Sequence, residues 1–182
     1  MQQEMNQPTS RSGKVKNLQA QAVLFNLLSE NGITTMQQLH EKFSAMNSDY
    51  YDLRGKIVTA ERRIAKLEEQ LTMWKQYERY KAIRRQYTNL KPSKRALFEQ
   101  DHHAELALFE AATRYLEKLK SSGEPITPKK WQAEVDKLTA QKDSQYRDMR
   151  AMREEIKSVE RLRKAAEQLS KAEPLKEHEP EH

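Results

Sequence analysis

Cysteine is absent from this chain, which excludes a disulfide framework, a thiolate metal site and a cysteine nucleophile. Glycine is scarce, with four residues in 182. That excludes Rossmann-type and most β architectures, which place glycine in turns and phosphate-binding loops. No run of 18 apolar residues occurs, so no segment reads as a transmembrane helix. Residues 1–13 are polar and lack the apolar stretch of a secretory signal, and the expected location is cytoplasmic. Apolar residues make up 36% of the chain and charged residues 33%, against about 45–50% and about 25% in an average globular domain. The chain is too polar for a thick, many-layered core. What it has in abundance is Ala, Leu, Glu, Lys and Arg, about half of all residues. With helical periodicity, that share marks long helices or coiled coils.

Breakers divide the sequence. Residues 1–13 contain Pro8, Ser10, Ser12 and Gly13 and read as disordered. Residues 14–30 predict a helix, with Val15, Leu18, Ala22, Phe25 and Leu28 at three- and four-residue steps and Asn31-Gly32 as its stop. Thr34 or Thr35 is the expected cap of the next helix, with Gln37 or Gln38 completing a capping box. That helix runs over 34–90. Its apolar positions are Met36, Leu39, Phe43, Met46, Tyr50, Leu53, Ile57, Ala60, Ile64, Leu67, Leu71 and Trp74. The steps alternate three and four for more than five heptads, and a strict seven-residue repeat predicts a left-handed supercoil against a partner helix. At about 1.5 Å per residue such a helix reaches roughly 80 Å. Beyond Trp74 come Tyr77, Tyr80 and Ile83. Each step of three turns the stripe about 60° backwards, so the seam faces a new neighbour from that point.

Lys91-Pro92-Ser93 ends the long helix. Short helices follow over 93–100 and 101–120, the second with Leu106, Leu108, Phe109, Ala112, Tyr115, Leu116 and Leu119 as its apolar face. Thr127-Pro128 starts a last helix over 128–172, in which Trp131, Val135, Leu138, Met149, Met152, Ile156, Val159, Ala166 and Leu169 follow heptads. Residues 174–182 form an acidic tail expected to be disordered. The fold class is therefore all-α. A single domain over 14–173 holds a long antiparallel coiled-coil hairpin, a small helical head over about 75–130 and a short N-terminal helix. Matching heptads across the head pairs Leu71 with Met149, Ile64 with Ile156 and Tyr50 with Ser170. In that register two seam positions that break the apolar rule, Glu78 and Lys142, fall side by side, as buried charges require partners. The plainer alternative leaves both facing solvent where the seam splays.

Catalytic signatures are missing: no phosphate loop, no G-x-S-x-G and no H-E-x-x-H occurs. Asp101-His102-His103-Ala104-Glu105 superficially suggests a metal cluster. Adjacent histidines on a helix point about 100° apart, however, so the run reads better as a polar helix start. Tyr50-Tyr51, Tyr77 and Tyr80 lack the nearby base or metal that a tyrosine nucleophile needs. No catalytic residue, metal, cofactor, small-molecule substrate or membrane contact is expected. Charge is more informative. Lys75, Arg79, Lys81, Arg84, Arg85, Lys91, Lys94 and Arg95 face only Glu78 within residues 75–95. This stretch carries +7, whereas the whole chain carries +6. Tyr77, Tyr80 and Tyr87 interleave with it. Lysines and arginines attract phosphates by releasing counterions, and aromatic rings stack on bases. These eight cations are the candidate nucleic-acid contacts. Against that stands an ordinary solvated helix whose tyrosines pack on the head, and the cations point several ways around the helix.

The order of these features resembles a known family. A helix ends in Leu27-Leu28-Ser29-Glu30-Asn31-Gly32-Ile33, and a heptad helix follows with Tyr50, Leu53, Ile57, Glu61 and Arg62. Next come Tyr80-Lys81 with Arg84, Lys94-Arg95, Phe98-Glu99, His103 through Ala111-Ala112, and a final long helix. The arrangement, over roughly residues 14–169, is similar to the C-terminal helical region of relaxases, the mobilisation nucleases of conjugative and mobilisable elements such as plasmids. The tyrosine and metal-binding histidine cluster of the relaxase nuclease domain match nothing here. The resemblance thus implies a non-catalytic accessory region that contacts the DNA backbone, relaxosome proteins or secretion-system proteins. A structural coiled-coil scaffold that binds protein alone is the alternative.

Overall fold

The computed structural model describes Gln19, Ala22 and residues 25–172. The disorder expected over 1–13 and 174–182, and most of the helix expected over 14–30, lie outside the described residues. Among these, the chain is all-α. A helical stretch over 25–30 precedes α1 (Met36–Asn89), α2 (Pro92–Asp101), α3 (His103–Ser121) and α4 (Pro128–Ala172). The two long helices α1 and α4 pack against each other as a helical hairpin does. Their contacts group into two compact units, the described residues up to 53 with 148–172, and residues 54–147.

Local chemistry sets the helix ends. The stretch over 25–30 closes in a Schellman motif, in which Ile33 N–H donates to Leu28 O (2.8 Å) and Gly32 N–H to Ser29 O (2.9 Å). Thr35 then caps α1: its Oγ1 accepts from Gln38 N–H at 3.2 Å, while Gln38 Oε1 accepts from Thr34 N–H at 2.8 Å, a variant of the capping box. The end of α3 repeats the Schellman pattern, with Glu124 N–H donating to Leu119 O and Gly123 N–H to Lys120 O, both at 3.0 Å. Gly123 has φ +82° there, a conformation that side chains oppose.

In the first unit Ile33 and Leu39 are buried. The start of α1 meets the end of α4: Arg163 lies over the Phe43 ring at 5.0 Å, and His40 Nε2 is 3.8 Å from Glu167 Oε1.

In the second unit the seam positions Ile57, Ala60, Ile64, Leu67 and Leu71 are all buried. Three of them form one core with Leu116 and Leu119 of α3 and Trp131 and Val135 of α4. Polar pairs flank it. Arg63 donates two bonds to Glu134 (2.8 and 3.0 Å), and Tyr146 Oη donates to Glu61 (2.6 Å). Glu124, aimed by the Schellman turn, accepts from Lys66 (2.9 Å) and from buried Gln70 (3.0 Å).

The heptad phase is as expected, but the register is not. Residues 61 and 146 meet in the second unit, and 40 and 167, and 43 and 163, in the first. That is about two heptads short of the expected pairing. Ile64 and Leu71 pack on Leu116, Leu119, Trp131 and Val135 rather than on Ile156 and Met149. The expected partner of Tyr50, Ser170, has no described side chain. The expected Glu78–Lys142 pair does not form. Glu78 is bound by Lys81, its Nζ 3.0 Å from both carboxylate oxygens, and Glu78 lines a groove with α3. The reason is that α4 begins at Pro128 beside Trp74, so residues beyond Trp74 have α3, not α4, as their neighbour. Leu108, expected on the apolar face of α3, is 40% exposed. It lies two positions from Leu106, about 200° around the helix.

Two predictions follow from this packing. Leu67→Ala, at a fully buried site, lowers unfolding stability in urea by about 2–5 kcal/mol. Leu97→Ala, at a site 67% exposed, changes it by less than about 0.5 kcal/mol. The second prediction concerns pH. The Arg63 guanidinium holds the Glu134 carboxyl below the usual carboxylate range, and Lys66, then Gln70, do so for Glu124. Stability from these groups is present above the ordinary carboxylate range and is lost as pH falls through it. The Glu61 carboxylate pushes the Tyr146 hydroxyl up, so that contribution is present below about pH 10 and is lost as pH rises further. In Tm measured by circular dichroism, Glu134→Gln flattens the acid limb and Tyr146→Phe the alkaline limb.

Candidate nucleic-acid interface

The basic stretch spans the last turns of α1, the α1–α2 corner and the first turn of α2. Lys91 stands in extended backbone (φ −59°, ψ 141°) before Pro92, the first residue of α2, as the residue preceding proline prefers. This break leaves carbonyls at the end of α1 without helical partners. Arg95 folds back from α2 to satisfy two of them, donating from Nε to Leu90 O (3.1 Å) and from Nη2 to Thr88 O (3.0 Å). Its guanidinium also lies 5.7 Å from the centre of the Tyr87 ring, and that of Arg84 lies 5.3 Å from it. Phe98 packs on Tyr87 at 6.2 Å and on His102 at 4.3 Å. A cation held over a ring face is oriented without consuming its N–H donors. Arg84 and Arg79, the latter 5.4 Å over Tyr80, are both set in this way.

The eight expected contacts therefore divide by environment. Lys75, Arg79, Arg84, Arg85, Lys91 and Lys94 are exposed and, among the described residues, have no carboxylate partner within 4.0 Å. Lys81 is tied to Glu78 and Arg95 to backbone carbonyls. The fold brings Arg84 and Arg95 together at Tyr87. Lys75 sits about 15 Å from Arg85 along α1, at 1.5 Å per residue, so the cations form a band and not one point. The histidines follow the helix starts: His102 joins α2 to α3, and its Nδ1 lies 2.7 Å from Glu105 Oε2. Among the described residues no group of three or more His, Asp or Glu side chains is placed to hold a metal.

The fold adds Lys120, Lys129 and Lys130 to the cations of the basic stretch. Trp74 stacks on Tyr77 at 5.8 Å, and Tyr77 on Phe109 of α3 at 5.0 Å, with ring planes within 25°. Gln76 secures this contact by donating to Leu108 O at 2.7 Å. Trp74 borders a groove of about 490 Å³ against α3, lined by Lys81 and Lys120 among others. It also borders one of about 420 Å³ against the start of α4, lined by Lys129 and Lys130. The pair Lys129-Lys130 after a helix-starting proline was the available signal, but only the fold sets it beside an aromatic ring.

No family model, curated protein or solved structure matches the chain.

Arg95 differs from its neighbours in having a structural load. Arg95→Ala lowers stability by about 1.5–3 kcal/mol, the range for hydrogen bonds that involve a charged group. Lys94→Ala, one residue away and exposed, leaves the urea midpoint within about 0.5 kcal/mol of wild type.

Proposed function

We propose that this chain is a non-catalytic helical accessory region of a DNA-mobilisation protein of the relaxase type, acting in the cytoplasm, which grips DNA through its phosphate backbone. The observation that carries this reading is the band of exposed cations at the end of α1 and the start of α2. Six of them lack a carboxylate partner among the described residues, in a stretch whose one acidic residue, Glu78, is already neutralised by Lys81. Ordinary solvated helices mix charges of both signs, and their i, i+3 and i, i+4 pairs cancel, as they do at Lys157–Glu154 and Lys164–Glu160 of α4. An uncompensated band is the electrostatic footprint of a phosphate-binding surface. The resemblance to relaxase C-terminal regions supplies the biological setting. Relaxosome and secretion-system proteins are the corresponding protein partners.

A protein-only scaffold is the second reading. It is favoured by Leu97 and Leu108, apolar side chains 67% and 40% exposed on α2 and α3. Titration with fluorescent DNA at several salt concentrations separates the two. The DNA reading expects log affinity to fall linearly with log salt, with a slope of about 0.9 per phosphate contacted on duplex or about 0.7 on a single strand. Arg84→Glu, Arg85→Glu and Lys94→Glu together lower the affinity by at least tenfold and reduce that slope by about 2–3. Arg95 is excluded from the set because its loss loosens the corner itself. Salt-insensitive or absent binding leaves the scaffold.

A further inference from the structure

Trp74 is the residue at which the α1 seam changes neighbours, yet it is only partly buried. Tyr77 is the middle ring of a three-ring stack, with Trp74 and Phe109 each nearly parallel to it. Trp74 is the end of that stack and borders open space on two sides. Charge differs between the two grooves. On the α3 side, Glu78 and Glu117 balance Lys81 and Lys120. This rim presents hydrogen-bond acceptors and donors without net charge. On the α4 side, Lys129 and Lys130 have no acidic residue in the lining and flank the apolar surface of Trp74, Thr127 and Pro128.

A neutral ring with a polar edge suits the first groove, and a phosphate suits the second. An unpaired nucleotide has both parts. We infer that Trp74 is a stacking platform for one unpaired base of a single DNA strand. The base edge meets the mixed rim toward α3, and an adjoining phosphate lies on Lys129 and Lys130. This inference rests on the DNA reading above and deepens it, since duplex bases are already stacked and cannot reach a protein ring without unpairing. The aromatic face is supplied by a residue that the core holds in place, so little conformational freedom is lost on binding.

The test uses the full chain, a 20-nucleotide oligo-dT and a 20-base-pair dA·dT duplex, read by tryptophan emission and by anisotropy of the labelled DNA. The chain has two tryptophans. Trp131 is 6% exposed within the core, so quenching by a stacked base reports Trp74. The expected result is quenching by oligo-dT and not by duplex, with tighter binding of oligo-dT. Trp74→Phe, which keeps a ring in the packing, abolishes the quench. Trp74→Ala weakens oligo-dT binding about tenfold, as the loss of one base stack does. Lys129→Glu with Lys130→Glu lowers the single-strand salt slope by about 0.7 per contact. Circular dichroism of each variant confirms the helical fold, and Trp74→Phe carries the test if Trp74→Ala unfolds. Unmoved emission, with binding that still depends on Arg84, Arg85 and Lys94, overturns the platform and leaves the phosphate-binding band standing. Quenching that survives Lys129→Glu with Lys130→Glu at unchanged affinity overturns the phosphate assignment. No binding of either DNA overturns both readings together.

Discussion

One apolar stripe on α1 organises the residues packed around it. A chain with 36% apolar residues cannot bury much, so what it buries must be aligned. Ile57, Ala60, Ile64, Leu67 and Leu71 are buried along a single face of α1. Removing one large aliphatic side chain from water is worth about 1.5–3 kcal/mol. The exposed ion pairs that border the stripe are worth about 0–1 kcal/mol each. Leu67 and its neighbours therefore supply the stability. The pairs Arg63–Glu134, Lys66–Glu124 and Tyr146–Glu61 do something different: each has geometry that only one alignment satisfies. A bidentate guanidinium–carboxylate pair does not survive a shift of one helical turn, about 5.4 Å.

This division explains what could be read from the sequence. Every seam position from Met36 to Trp74 is buried or half-buried, because a three-four repeat states which face of a helix meets a partner. The same repeat is silent about register, since sliding one helix by seven residues returns the same faces to the seam. The register is set by groups outside the pattern. Gln70 is 1% exposed although it lies beside the stripe and not on it, and it is held there by Glu124 from a loop. No periodicity announces a loop carboxylate, so the Glu78–Lys142 pairing, built on the heptads alone, failed. The turn at Trp74 was legible for the opposite reason. Three successive steps of three are a local property of α1, and Tyr77 packs on Phe109 as that rotation requires.

The basic stretch shows the same separation between pattern and context. Composition alone treats its eight cations as equivalent. The fold does not: Arg95 satisfies two carbonyls that the Lys91-Pro92 break leaves open, and Lys81 satisfies the one carboxylate in the stretch. Both are cations that the local backbone and charge would demand without any ligand. Among the described residues the other six have no such local partner, and like charges clustered in this way repel one another. Aromatic faces lessen that problem for Arg79 and Arg84 while leaving their donors available.

Trp74 joins these two themes. As the last member of the three-four series it packs against the core, and as the first member of the rotated stripe it begins the stack with Tyr77 and Phe109. A ring that must satisfy two differently oriented neighbours cannot be enclosed by either, which is why open grooves lie on both sides of it. The lysines around it come from three helices, Lys81 from α1, Lys120 from the end of α3 and Lys129 and Lys130 from the start of α4. Helix ends converge here because α4 starts where the α1 seam turns away. Change of seam direction, helix termini and an incompletely covered aromatic ring thus have one geometric cause. A surface that combines them is a consequence of how the core ends, not a feature added to it.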